Sequence, residues 1–180
     1  MEIRVQRLFR ILVAVAAILA LVFAAGYLLP VAWHAERSVL IRAPAPTVFA
    51  YLNNLKNWRE WTVWYQQHPD MPTEYSGPDA GVGATSRWRD ENGRGVMKIM
   101  RTDADQRIDY QILFDAGATR VNGMLMLVPE GEGTRVVWGA TGATGRHPVA
   151  RYFALVLGYR IGSDFEASLL RLKQKLDPKS

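Results

Sequence analysis

The chain contains no cysteine, so it forms no disulfide and offers no thiolate to a metal, and redox chemistry leaves its compartment unmarked. Histidine is scarce as well. The three, His34, His68 and His147, fall in a juxtamembrane stretch, a loop and a helix start without metal-ligand spacing, so no metal site is expected. There is no nucleophile elbow. Gly81-Val82-Gly83 sits in a loop with no strand-to-helix setting and no Lys-Ser/Thr behind it, which excludes a nucleotide cradle. Strand alternation places no pair of carboxylates in the interior, so catalytic residues stay unassigned; Asp70 and Glu74, both in a loop, are weak candidates. No cofactor is implied.

Charge is missing where it matters most. From Ile11 to Trp33 no residue is charged, and the run is long enough to cross a hydrocarbon layer of roughly 30 Å as a helix. A cleaved signal peptide is the rival reading, but Phe23-Ala24-Ala25 lacks the small-x-small pattern of a good cleavage site, which favours an uncleaved anchor over residues 1–33. Arg4, Arg7 and Arg10 precede the run and Arg37 and Arg42 follow it, a bias that leans toward a cytoplasmic N-terminus and an extracytoplasmic domain. Tyr27 and Trp33 fit an interfacial aromatic belt. Without Glu2, Arg4, Arg7 and Arg10 the rest holds 19 basic and 16 acidic residues, a dispersed net of +3, so no nucleic-acid surface is expected.

What the chain does have is apolar periodicity. Phe153, Leu157, Ile161, Phe165, Leu169, Leu172 and Leu176 recur at spacings of four or three between His147 and Leu176, the one long amphipathic helix of the soluble part. Arg146, His147 and Pro148 open it and Asp177-Pro178 closes it. Upstream, Ser38–Arg42 reads as a strand, and Pro46 opens a short helix with Val48, Phe49, Leu52 and Leu55 inward. Trp58, Trp61 and Trp64 then form an aromatic knot that packs beneath the long helix or lines a space. His68–Gly83 reads as a flexible flap, punctuated by Pro69, Pro72, Gly77, Pro78, Gly81 and Gly83. Five strands follow, about 84–90, 94–102, 107–115, 121–128 and 134–141, with turns at Glu91-Asn92-Gly93 and Glu130-Gly131-Glu132-Gly133. The connections are too short for parallel crossovers.

The succession Glu36–Pro44, Val48-Phe49, Trp58–Trp64, Tyr75-Ser76-Gly77, Gly81–Ala84, Gly133–Trp138 and Gly162–Phe165 resembles the START-like (SRPBCC) superfamily of polyketide cyclase/dehydrase and lipid transport proteins. The resemblance implies a helix-grip α+β fold over residues 34–177, with 178–180 as a tail. A curved antiparallel sheet of six to seven strands wraps the C-terminal helix, with an apolar pocket between. A preceding transmembrane helix is a departure that many relatives lack.

Alternation, with charged neighbours marking the outside, turns Met97, Ile99, Ile108, Tyr110, Ile112, Phe114, Val136 and Trp138 inward. The expected ligand-binding set is Trp61, Trp64, Trp88, Met97, Tyr110, Phe114, Leu125, Trp138, Phe153, Leu157 and Ile161. For any single member, plain core packing is the competing reading. Two functions follow. One is a membrane-anchored binding or carrier domain for a lipid or other hydrophobic small molecule. The other is a cyclase- or dehydratase-like enzyme in which a buried tyrosine such as Tyr110 moves a proton. The same alternation turns Leu113, Met124, Met126 and Val137 outward, a candidate contact surface for a partner, a second copy or the membrane; the rival is a register slip or bulge. Gly158 and Gly162 cost the long helix about 1 kcal/mol each relative to alanine, which a cavity mouth or a bend near Ser163 would offset.

Overall fold

The computed structural model describes residues 2–90, 93–117, 119–145 and 147–178. Helix α1, Glu2–Gly26, draws on alanine and leucine, the strongest helix formers, at nine of the fifteen positions from Ile11 to Ala25, with neither glycine nor proline among them, and Pro30 stands just past its last turn. Its stretch Gln6–Gly26 is long and apolar enough to cross a membrane.

Strand β1 then runs Ala32–Ile41, starting six residues earlier than Ser38. Every second residue back from Ile41 faces inward, and β7, Gly133–Ala143, is long enough to pair with all of it, from Ala32 opposite Ala143 to Ile41 opposite Thr134. Trp33 is therefore a buried residue of the sheet and not part of an interfacial belt. The other strands are β2 Thr73–Ser76, β3 Thr85–Asp90, β4 Gly93–Asp103, β5 Arg107–Phe114 and β6 Thr119–Glu130. Their order is β1-β7-β6-β5-β4-β3-β2, antiparallel throughout. This is the expected α+β helix-grip arrangement with seven strands.

Turn chemistry fixes the register. Glu130 pairs with Gly133, leaving a two-residue loop whose first position, Gly131, has φ +58°, the conformation glycine adopts most easily. Glu91 and Asn92 lie outside the described residues, as does Arg146. One register shift, between Ile99 and Arg101, leaves Met100 as a bulge that bends β4.

The expected flap is pinned instead. β2 pairs along β3, Gly81 N–H donates to the Asn53 carbonyl (3.1 Å) and Gly83 N–H to the Ile99 carbonyl (2.9 Å). The guanidinium of Arg59 reaches the Pro69 carbonyl (2.8 Å) and the Thr73 hydroxyl (3.2 Å). Punctuation by proline and glycine concealed the short strand.

Three short helices, α2 (Ala45–Leu52), α3 (Trp58–Trp61) and α4 (Val63–Gln67), cross from β1 to the far edge. Helix α5, Pro148–Leu176, lies along β1. Lys173 Nζ donates to the Leu40 carbonyl (2.7 Å), and the Asp177 carboxylate accepts from Arg42 N–H (2.7 Å). A methyl on Gly158 would stand 3.0 Å from the His34 carbonyl oxygen, and one on Gly162 would meet the Arg37 guanidinium. Close approach to the β1 backbone offsets Gly158, whereas at Gly162 only the end of the Arg37 side chain stands in the way; no bend near Ser163 is required.

The fully buried core, with Ile41, Val48, Leu52, Trp61, Ile99, Ile108, Leu125, Val136, Leu169 and Leu172, joins the sheet to α2, α3 and the second half of α5. The first half behaves differently. A step of four residues advances about 40° around a helix, so the run Phe153-Leu157-Ile161-Phe165 turns through about 120°. Phe165 points in, and Phe153 ends up 64% exposed and Leu157 38%. Ala154, Gly162, Phe165, Ser168, Leu169 and Leu172 form the true inner line.

Candidate functional site

Strand alternation brings Trp33, Trp88, Met97, Tyr110, Ile112, Phe114, Val121, Trp138 and Ala140 to one side of the sheet, where they wall a cavity of about 400 Å³. Trp58, Thr62, Trp64, Tyr65, Gln67, His68 and Met71 close one flank, and Ile161, Asp164, Phe165 and Ser168 of α5 form the roof. The volume is in the range of small-molecule sites.

Space survives among so many rings because three of them lie over glycines. Trp88 is directly opposite Gly95, Tyr110 opposite Gly123 and Trp33 opposite Gly142. A methyl group at any of these glycines would overlap the ring. Each aromatic thus folds flat across the neighbouring strand instead of standing into the middle. Two ring clusters follow. Trp138 stacks on Phe165 (centroids 3.8 Å, planes 10° apart) and meets Trp58 edge-on at 5.9 Å, while Trp64 stacks on Phe114 and meets Trp88 edge-on at 5.4 Å.

The deepest polar feature is a hydrogen bond from Trp138 Nε1 to the Tyr110 hydroxyl oxygen, 2.7 Å long and buried. Burial raises the Tyr110 phenol well above its usual range, outweighing the opposite pull of the indole N–H. The hydroxyl is held neutral, and its own proton has no protein acceptor among the described residues, so it remains a donor for a ligand oxygen. The Thr62 hydroxyl is committed to the Trp58 carbonyl (2.9 Å), and Ser168 Oγ accepts from Val63 N–H (2.9 Å). The remaining polar wall is Gln67, His68 and Asp164, of which Gln67 and Asp164 are exposed and mark the opening beside Trp64.

Of the sequence-derived set, Trp64, Trp88, Met97, Tyr110, Phe114, Trp138 and Ile161 meet at the cavity. Trp61 is fully buried behind it, 4.9 Å from Trp138. Leu125 belongs to the packed core. Phe153 and Leu157 face away because of the helical drift described above. Asp70 and Glu74 do not line the space. From the sequence Trp33 is expected in an interfacial belt, His68 on a loop surface and Asp164 on another side of the long helix, whereas all three line the cavity. Counting back from Ile41 in steps of two reaches Trp33 and would have found it; nothing local marks the other two, which loop geometry and helix phase bring in.

The outward set also separates. Met126 pairs with Val137, and Met124 lies over Gly139, but Leu113 pairs with Arg120, two rows away. Arg107 Nη1 sits 3.9 Å from the Met126 sulfur, and Met124, Met126 and Val137 are half-buried neighbours on the outer face, with Leu113 apart from them. Elsewhere a surface groove of about 560 Å³ runs between the β6–β7 hairpin, Leu40, Arg42 and Pro178.

The sequence profile of the family described as Polyketide cyclase / dehydrase and lipid transport matches residues 32–177. Among curated protein sequences none matches the chain significantly. Solved structures similar to it include protein CV1439 from Chromobacterium violaceum (14% identity, 81% of this chain and 98% of that one, TM-score 0.58). Another is TTHA0849 from Thermus thermophilus (18%, 79% and 96%, TM-score 0.58). A third is the Aha1 dimer from Colwellia psychrerythraea (18%, 80% and 96%, TM-score 0.54). At such identities the likeness concerns the fold alone.

Proposed function

The chain belongs to the polyketide cyclase / dehydrase and lipid transport family, and from that premise we propose that it is a membrane-anchored carrier domain holding a lipid or other hydrophobic small molecule in the cavity beneath α5. The observation that carries this reading is the cavity itself: about 400 Å³, walled mainly by aromatic and aliphatic side chains, with the neutral donor Tyr110 at depth, the buried hydroxyls of Thr62 and Ser168 bonded to backbone groups, and Gln67 and Asp164 at the opening. Affinity in such a site comes from apolar burial, about 2.5 kcal/mol for each 100 Å² of ligand surface removed from water. The Tyr110 hydroxyl orients the ligand. Apolar α1 would keep the domain beside the pool from which such ligands are drawn.

A second reading has one observation in its favour. His68 and Asp164 reach the same cavity as Tyr110, which gives a cyclase- or dehydratase-like reaction three groups able to carry a proton.

The test is extraction of the purified full-length protein with organic solvent and identification of what leaves it, in parallel with Ile112→Trp. Ile112 is a half-buried wall residue, so the larger ring would fill the space and leave the core intact. A discrete compound present in the native protein and depleted in the variant is the expected result. Equal bulk lipid from both would refute an occupied cavity.

A further inference from the structure

The first three turns of α5 carry apolar side chains that nothing among the described residues covers. Val149, Phe153, Val156 and Tyr159 are exposed, at 47%, 64%, 58% and 73%. They recur at spacings of three and four, which gathers them on the side of α5 turned away from the sheet. Lipid is indicated as their partner by what the same turns touch.

The beginning of α5 is docked on the end of α1. Tyr152 Oη donates to the Val22 carbonyl (2.6 Å), Phe23 meets the His147 ring edge-on at 5.8 Å, and a methyl at Gly26 would collide with Pro148. Arg151 Nη1 donates to the carbonyls of Tyr27 (2.6 Å) and Leu29 (3.1 Å). The 21 residues Gln6–Gly26 rise about 31 Å as a helix, the full depth of the hydrocarbon layer. Val22 then lies about 6 Å below its edge. Tyr152 and its neighbours share the depth of the last turn of the span and must sit at the lipid surface. Only residues 27–31 separate α1 from β1, a reach of no more than about 18 Å. Charge agrees: the first acidic residue of α5 is Asp164, and Arg151 and Arg160 are the only ionic groups before it, the sign that anionic head groups attract.

We propose that the Val149–Tyr159 face of α5 beds in the head-group layer of the bilayer that α1 crosses, so that the domain is held flat against the membrane in one orientation. The inference rests on reading α1 as a membrane span and is independent of which ligand the cavity takes. It places the cavity wall at Ile161 about 12 Å along α5 from Phe153, within reach of a molecule leaving the lipid.

The absence of native cysteine makes the test direct. Single variants Val13→Cys, Phe153→Cys, Val156→Cys and Gln174→Cys of the full-length protein are labelled with an environment-sensitive fluorophore. They are reconstituted into phosphatidylcholine/phosphatidylglycerol vesicles whose lipids carry nitroxide quenchers either near the head group or at mid-chain. Loss of fluorescence at 153 and 156 with the shallow quencher, at 13 with the deep one and at 174 with neither is expected. Quenching at 13 without quenching at 153 and 156 would overturn the docking while leaving the anchor in place. No quenching at 13 would remove the span, and the docking with it. Labels at 153 and 156 that respond to protein density and not to quencher would assign the face to a second copy, which also overturns the proposal.

Discussion

Replacing Tyr110 by phenylalanine tests the polar centre of the cavity. The substitution keeps the ring over Gly123 and deletes the oxygen that accepts the Trp138 indole N–H at 2.7 Å. Both residues are buried, so the indole donor is left unpaired, at a cost of about 1–3 kcal/mol. For a domain of this size that lowers the melting temperature by about 2–12 °C, read by the near-ultraviolet circular dichroism of the tryptophans in the detergent-solubilised full-length protein. Trp138→Phe removes the other partner, and in the double variant the hydrogen-bond penalties do not add; a coupling of about 0.5–3 kcal/mol is expected. Alkaline titration gives a second reading. Burial holds the Tyr110 phenol neutral in the folded state, so its contribution is complete below the ordinary tyrosine value near 10 and is lost as pH rises beyond it. Tyr110→Phe makes the alkaline decline shallower without abolishing it, since burial also raises Tyr51 and pushes Tyr75 up to about 12. A Tyr110→Phe protein that melts within about 1 °C of the native one, with additive behaviour in the double variant, would refute the buried bond.

Two more outcomes follow from α5. Gly162→Ala gains about 1 kcal/mol of helix propensity and meets only the mobile end of Arg37, so chemical denaturation finds it neutral or stabilised; Gly158→Ala faces the His34 backbone oxygen at 3.0 Å and loses about 1–3 kcal/mol. The Asp177 carboxyl is affected first by burial, which raises its pKa, but hydrogen bonds from Lys173 and the Arg42 backbone prevail and hold it below the ordinary value of 3.8. A depressed carboxylate stabilises above its unfolded pKa and loses that contribution as pH falls through the folded one, so below about pH 4 Asp177→Asn unfolds with a flatter acid dependence than the native protein.

The sequence alone determined whatever depends on local period and on turn chemistry. The apolar run before Gly26, the strands from Thr85 to Ala143, their hairpins and the inward set Met97, Tyr110 and Trp138 follow from a side-chain period of two and from glycine at the turns, since a slip of one residue would expose a whole strand face. The long helix from His147 to Leu176 was legible in its own apolar spacing, and the resemblance to a helix-grip family added the expectation of a pocket between it and the sheet. Tertiary structure decided what depends on phase and on pairing at a distance. An i, i+4 stripe fixes a helical face for about two turns before drift turns it away, so only packing on β1 could show that Phe165 points into the cavity and Phe153 toward the outside. Trp33 joined the sheet because β7 offered ten partners to β1, and β2 formed because β3 offered an edge to a proline-punctuated segment. Cavity volume is the furthest from the sequence: it exists because Trp33, Trp88 and Tyr110 each face a glycine across the ladder, and a strand carries no record of which residue its neighbour will place opposite.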